Sequence, residues 1–335
     1  MRKQHRKFRL NVDTHDDTDS YLDDAYADYA MVTRARIRKG DGEAAPDRRG
    51  RLTEAERDRI ALLREEDQSA AHGPTVGDRW SSWERAEHGP EPRPDWVITD
   101  LVAEDTELGV LKTGKEADVH LISREVPGTQ RSTLLAAKRY RSSDHRQFHR
   151  DAQYLEGRRM RRSRENRAIA GRTSFGRNLI AEQWAVAEFA ALGHLWSAGL
   201  PVPYPVQRDG TEILLEFFGS ADGSAAPRLV DTRLDFDELE SVWHELLTAL
   251  AALAAQGYTH GDLSAYNVLL HEGEPVLIDL PQLVDLAANP QGVGMLRRDV
   301  RNITDWFIRC GLPRDRVDPD AVTSMLLAEA GLTGG

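Results

Sequence analysis

The chain has 335 residues, of which 30% are charged, with a formal net charge of -11 at pH 7. That acidic balance argues against general coating of nucleic acid and leaves only local basic patches for such contacts. A single cysteine, Cys310, excludes an internal disulfide and a thiolate cluster for zinc, and suits a reducing compartment.

The length is enough for two domains with an ordinary core. The basic start, Met1 to Arg9, has no apolar run behind it, and nowhere does the chain reach the roughly 18 apolar residues of a membrane span. The expectation is a cytoplasmic protein with no membrane partner.

Residues 1–95 read as a charged extension. Asp13, Asp16, Asp17, Asp19, Asp23, Asp24 and Asp28 form an acidic block, followed by the basic stretch Arg34 to Lys39 and a linker-like Gly40 to Pro46. Leu52 to Gln68 reads as one charged helix, with Thr53 as N-cap and Glu56 three residues later. Apolar positions are too few to specify a core, so disorder, or folding on a partner, is expected. Trp80 and Trp83 are expected to dock the extension, and the Pro-rich Gly89 to Pro94 marks its end.

From Trp96 the pattern is globular. Leu108 to Leu111 and Ala117 to Ile122 read as strands around Lys112-Thr-Gly-Lys-Glu116, and Leu134 to Tyr140 reads as a third that carries Lys138 near its end. A flexible, Arg-rich loop is expected over 141–177, then a helix from about Leu179 to Ser197. Pro201 to Pro205 reads as a break, and Ile213 to Phe218 as a buried strand. Leu239, Val242, Trp243, Leu246, Leu247, Leu250 and Leu253 follow helical spacing, closed by Gly257. Val268 to Leu270 and Val276 to Ile278 read as a hairpin turning at Gly273. The expected fold class is α+β: a small β-rich N-lobe over 96–218 and a reduced helical C-lobe over 219–335, with a cleft between them.

The chemistry concentrates in Tyr258 to Leu270 and Val276 to Leu280. An Asp and an Asn five residues apart, then an Asp ending an apolar run, suit phosphoryl transfer from a Mg-nucleotide. Asp262 is placed to orient an acceptor oxygen and take its proton, while Asn267 and Asp279 are hard oxygen ligands for Mg2+. Lys138 on an apolar strand needs a carboxylate partner. Glu188, on the helix face of Trp184, Leu192 and Leu195, supplies one. Thr113 and Lys115 are candidates to cradle phosphate, although the turn is not a Walker loop and lacks G-x-G-x-x-G. Glu216 to Phe218 would form the inter-lobe connection whose backbone binds adenine. The run Arg158 to Arg164, with Arg167, reads either as a solvated face or as a clamp for an acidic or RNA-containing partner. Ser163 and Ser174 are candidate phosphorylation sites, His260 a brace for the catalytic loop, and Phe148, Tyr154, Trp243 and Trp306 core residues.

Residues from about 96 to 312 resemble the RIO family of atypical protein kinases, nearest its first subfamily. The resemblance is carried by Thr113-Gly-Lys-Glu-Ala117, Ala137-Lys-Arg-Tyr140, Phe148 to Tyr154, Trp184 to Phe189 and Ala198 to Pro203. Its most specific stretches are His260-Gly-Asp-Leu-Ser-Ala-Tyr-Asn267, Ile278-Asp-Leu-Pro-Gln282 and Arg298-Asp-Val-Arg-Asn302. It implies a two-lobed protein-kinase-like fold and ATP- and Mg2+-dependent phosphorylation of serine or threonine, with Mn2+ as an alternative ion. Asp262 would be the catalytic residue, with Asn267 and Asp279 as metal ligands. It further implies autophosphorylation, an ATPase-like switch in which the residue matching Asp279 accepts the phosphoryl group, and a ribosomal particle as partner. The acidic extension and Pro281 depart from the family pattern. The His-Gly-Asp-Leu-x-x-x-Asn pattern also resembles aminoglycoside and choline phosphotransferases, which makes a small-molecule kinase the main rival. A nucleotide-gated assembly factor with little transfer activity is the second.

Overall fold

The computed structural model describes residues 73–141, 174–281 and 283–332. The acidic block, the Leu52–Gln68 helix, Phe148, Tyr154, the Arg158–Arg167 run, Ser163 and Gln282 lie outside the described residues, and so does the side chain of Ser174.

In chain order the strands of the first half are β1 (Arg79–Trp80), β2 (Glu87–His88), β3 (Glu104–Thr113), β4 (Ala117–Glu125) and β5 (Ser132–Tyr140). Helix α1 (Ser174–Ser197) follows, then β6 (Pro205–Asp209) and β7 (Glu212–Glu216). The second half holds α2 (Phe236–Ala255), β8 (Tyr258–Thr259), β9 (Val268–His271), β10 (Glu274–Leu277), β11 (Val284–Asp285), α3 (Gly292–Cys310) and α4 (Pro319–Glu329). The two-lobed α+β arrangement expected from the sequence is present.

The N-lobe is an antiparallel sheet in which β3, β4, β5, β7, β6 and β2 are successive neighbours. Strand alternation gives β5 two distinct faces. Leu135 and Ala137 point to the back, where they join Ile122, Val206, Leu214, Tyr204, Trp83 and Val97 in one buried cluster. Ala136, Lys138 and Tyr140 point the other way, toward α1 and the C-lobe.

Packing corrects the expected boundary at residue 95. Residues from Trp80 onward form one compact unit. Trp83 is buried, its ring stacked on His88 with centroids 3.9 Å apart, whereas Trp80 remains exposed. Composition misplaced the start because Gly89 to Pro94 is a strap across the sheet's back rather than a linker. The Tyr204 hydroxyl donates to the Pro90 carbonyl (2.9 Å) and Gly89 N–H to the Val206 carbonyl (3.1 Å). A buried polar network fastens the same region. Arg124 donates twice to Asp105 (2.7 and 3.0 Å) and once to Gln207 (2.7 Å), which in turn donates to Ser82 (2.7 Å).

The C-lobe is built on α2, whose first turn carries a complete capping box. The Asp235 side chain accepts from Glu238 N–H and the Glu238 side chain from Asp235 N–H, both at 2.9 Å. Trp243 of α2 is buried edge-on against Phe307 of α3, with centroids 5.0 Å apart. Beyond Gly257 (φ 83), which supplies the left-handed turn that ends α2, the chain enters the segment that carries Asp262 and Asn267. There β9 and β10 form an antiparallel hairpin with Leu277 opposite Val268, turning through Glu272 (φ 53) and Gly273 (φ 88). Among the described residues no helix is long and apolar enough to cross a membrane.

Candidate active site

Lys138 is where the two lobes meet. Its Nζ donates to Glu188 Oε1 at 2.6 Å and to Asp279 Oδ1 at 2.7 Å, joining strand β5, helix α1 and the segment after β10. Glu188 is 1% exposed and Lys138 8%, so each charge depends on its partner. Burial alone would lower the Lys138 ammonium, but the Glu188 and Asp279 carboxylates outweigh it and hold its pKa above the ordinary lysine value. Glu188 has further partners: the Tyr140 hydroxyl donates to Oε2, and Leu280 N–H donates to Oε1 at 3.3 Å. Burial and the nearby Glu188 push the Tyr140 phenol up, so it stays a donor.

Asp279 adopts φ 66, a left-handed conformation uncommon for a residue with a side chain and concentrated at functional sites. Burial would raise its carboxyl pKa, but Lys138, then Lys112 and His260, hold it well below the usual carboxylate range. Two hydrogen bonds carry the geometry from Asp279 to Asp262. Ile278 N–H donates to the Asn267 carbonyl (3.0 Å), and Asn267 Nδ2 donates to the Asp262 carbonyl (2.9 Å). The second bond engages the Asn267 amide through its nitrogen and not its oxygen. One carboxylate and one amide oxygen suit Mg2+, which keeps water and phosphate oxygens in its remaining positions. Among the described residues no group of three or more His, Cys, Asp or Glu forms an alternative metal cluster.

The loop bearing Asp262 is shaped from beneath by Asp299. This α3 carboxylate is 1% exposed and accepts from the Thr259 hydroxyl (2.9 Å), Gly261 N–H (2.7 Å) and Leu263 N–H (3.1 Å). Burial raises its pKa in spite of those donors and His260. The Arg298 guanidinium donates to the Gly261 carbonyl. His260 is also buried, with Nε2–H donating to the Ile278 carbonyl (3.1 Å) and Nδ1 accepting from Asp262 N–H (3.4 Å). It therefore ties the loop to the segment after β10 from inside.

The other candidates lie apart from this centre. Thr113 and Lys115 are exposed on the β3–β4 turn. Gly114 N–H donates to the Ala117 carbonyl (2.9 Å), so the turn's own backbone already engages that donor. Lys112, not singled out in the sequence, is the lysine here that reaches the centre: its Nζ lies 3.5 Å from Asp279 Oδ2. Glu216 N–H donates to the Tyr204 carbonyl (2.9 Å), the Phe218 carbonyl accepts from Ala226 N–H (2.8 Å), and the Phe218 ring packs edge-on to His271. A cleft of about 730 Å3 opens at this connection, lined among others by Leu108, Ser123, Leu134, Glu216 and Phe217. Lys138 does not line it, but Leu134 shares its sheet face four residues earlier, about 13 Å along the strand.

The profile of the RIO domain matches residues 128–321, more than half of the chain. The chain belongs to the RIO family. Among similar proteins is the RIO-type serine/threonine-protein kinase Rio1 of Haloferax volcanii, 32% identical over 207 residues, covering 62% of this chain and 65% of that protein. The serine/threonine-protein kinase RIO1 of Chaetomium thermophilum is 36% identical over 138 residues, 38% of this chain and 26% of that protein. The Caenorhabditis elegans protein of the same name is 30% identical over 227 residues, 67% of this chain and 42% of that protein. The chain thus spans between about a quarter and two thirds of the length of these relatives. RIO membership carries the protein-kinase-like fold with it. The matched stretch includes Lys138, Glu188, Asp262, Asn267, Asp279 and Asp299, whereas the β3–β4 turn with Lys112 lies ahead of it.

Proposed function

We propose that this RIO protein is an ATP- and Mg2+-dependent serine/threonine protein kinase that phosphorylates itself. The observation that carries the reading is Lys138 held between Glu188 and Asp279, because phosphoryl transfer needs a fixed cation beside the metal-binding carboxylate. Bound Mg-ATP supplies the phosphoryl group and the divalent charge that offsets the anion developing in transfer. Lys138 would contact the phosphates, Asn267 and Asp279 would hold the ion, and Asp262 would orient the acceptor hydroxyl and take its proton. The cleft at Glu216 to Phe217 would receive the base. Glu188, Tyr140 and Asp299 keep these groups in position.

The reading extends to an ATPase-like switch in ribosome maturation in the cytoplasm, with Arg158 to Arg167 as contact for a ribosomal particle or RNA. Its support is the family resemblance and the basic run itself. Incubation of the full chain with γ-labelled ATP and Mg2+ tests the kinase reading. Label on serine or threonine of the protein, absent in Asp262→Ala, is expected. Label passing instead to an aminoglycoside or choline would overturn it, and release of a single equivalent of phosphate without protein label would favour the assembly factor.

A further inference from the structure

Lys112 occupies the last position but one of β3, next to the turn. In simple strand alternation its direction would follow from Val110, but the β3–β4 ladder shifts register between Val110 and Lys112. Such a bulge re-aims the side chains that follow it. Lys112 then faces Val119, which itself faces Lys138, so both lysines stand in one cross-strand row on the cleft side. They take opposite oxygens of one carboxylate: Lys138 on Asp279 Oδ1 at 2.7 Å, Lys112 on Oδ2 at 3.5 Å. The two contacts differ in kind. The Lys138 side chain is 10% exposed and has a second partner in Glu188, whereas that of Lys112 is 34% exposed and its contact is long. A partly exposed ion pair of this sort exchanges readily for another partner.

We propose that Lys112 is a second nucleotide-holding lysine, paired here with Asp279 and able to pass to the terminal phosphates of a nucleotide where a divalent ion takes that carboxylate. This rests on the nucleotide reading given above. An ammonium group and a divalent cation compete for the same carboxylate oxygen, while incoming phosphates offer the displaced ammonium a new anion. Its charge therefore opposes binding of the metal alone and favours binding of the nucleotide.

Lys112→Met keeps the stem and removes the charge, so the two effects should appear with opposite signs. Mn2+ titrated into the nucleotide-free full chain, followed by electron paramagnetic resonance, should bind a few-fold more tightly in the variant, about the worth of one partly exposed ion pair. Mg-ATP, followed by calorimetry, should bind roughly 10-fold more weakly, and Lys112→Arg should restore it. Unchanged Mg-ATP affinity in Lys112→Met, with the wild type binding normally, overturns the inference and leaves the kinase reading standing. Weaker binding of both ligands with a lowered Tm also overturns it, since that marks a structural role. No Mg-ATP binding by the wild type removes the nucleotide reading itself.

Discussion

Glu188 accepts from Lys138, Tyr140 and the Leu280 amide while almost wholly buried. Substituting Glu188→Gln keeps the shape but leaves Lys138 with a single carboxylate. Loss of one partner from a buried pair costs about 3–5 kcal/mol, so thermal melting should show a large drop in Tm. An unchanged Tm would mean that solvent already screens the pair. Asp262 calls for the opposite expectation, since in the proposed mechanism its side chain acts in the chemical step. Asp262→Ala should lose about 100-fold in transfer rate, as general-base removal does, with ATP affinity largely kept. Full activity in that variant would assign the proton to another group. Asp279 gives a pH signature. Its folded-state pKa lies below the unfolded value of about 4, so its ion pairs stabilise the protein fully above about pH 4. That contribution is lost as pH falls toward the folded value. The Tm gap between wild type and Asp279→Asn should stay level from neutral pH to about pH 5 and close below about pH 4. A gap that widened in acid would give the linkage the wrong sign.

The segment that carries Asp262 holds its shape because α3 offers one buried carboxylate to three donors. Asp299→Ala would leave Gly261 N–H, Leu263 N–H and the Thr259 hydroxyl without that acceptor, at a cost of roughly 3 kcal/mol. A lower transfer rate with little change in ATP affinity is expected, because the loop carrying Asp262 shifts while Lys138 does not. Normal kinetics in the variant would show that the loop is self-supporting. Much at this scale was legible in the sequence. The periodicity of α2 and the β9–β10 hairpin with Gly273 follow from local pattern, and the Lys138–Glu188 pair follows from two charges placed on apolar faces. Tyr140 was within reach, standing two residues from Lys138 on the same strand face, and Asp299 interrupts the apolar series Leu296, Val300, Ile303 and Phe307 of α3. Two features were hidden for physical reasons. Pro201 to Pro205 read as a break, yet Pro205 opens strand β6, a position where proline's missing donor is tolerated. The bulge that turns Lys112 into the cleft is a register effect between strands, and no single strand's pattern records it.

In the molecule as a whole, the back of the N-lobe sheet is covered by Trp83, the Gly89 to Pro94 strap and Val97 rather than by solvent. Composition hid this, because proline and glycine serve a strap held by backbone contacts as well as they serve a linker. Trp83 sits in the cluster that backs Ala137, the neighbour of Lys138 in β5. Trp83→Ala should therefore cost about 3–5 kcal/mol, the usual penalty for emptying a buried aromatic site. A chain begun at residue 96 should melt well below one begun at residue 80, and equal melting would show that the strap is ornamental. The account as a whole turns on nucleotide held through a divalent ion at Asp279. Calorimetric titration of ATP into wild type and Asp279→Ala, each with Mg2+ and with chelator, measures that directly. Wild-type binding that strengthens with Mg2+, and a variant indifferent to the ion, is the predicted result; equal metal dependence in both proteins would contradict it.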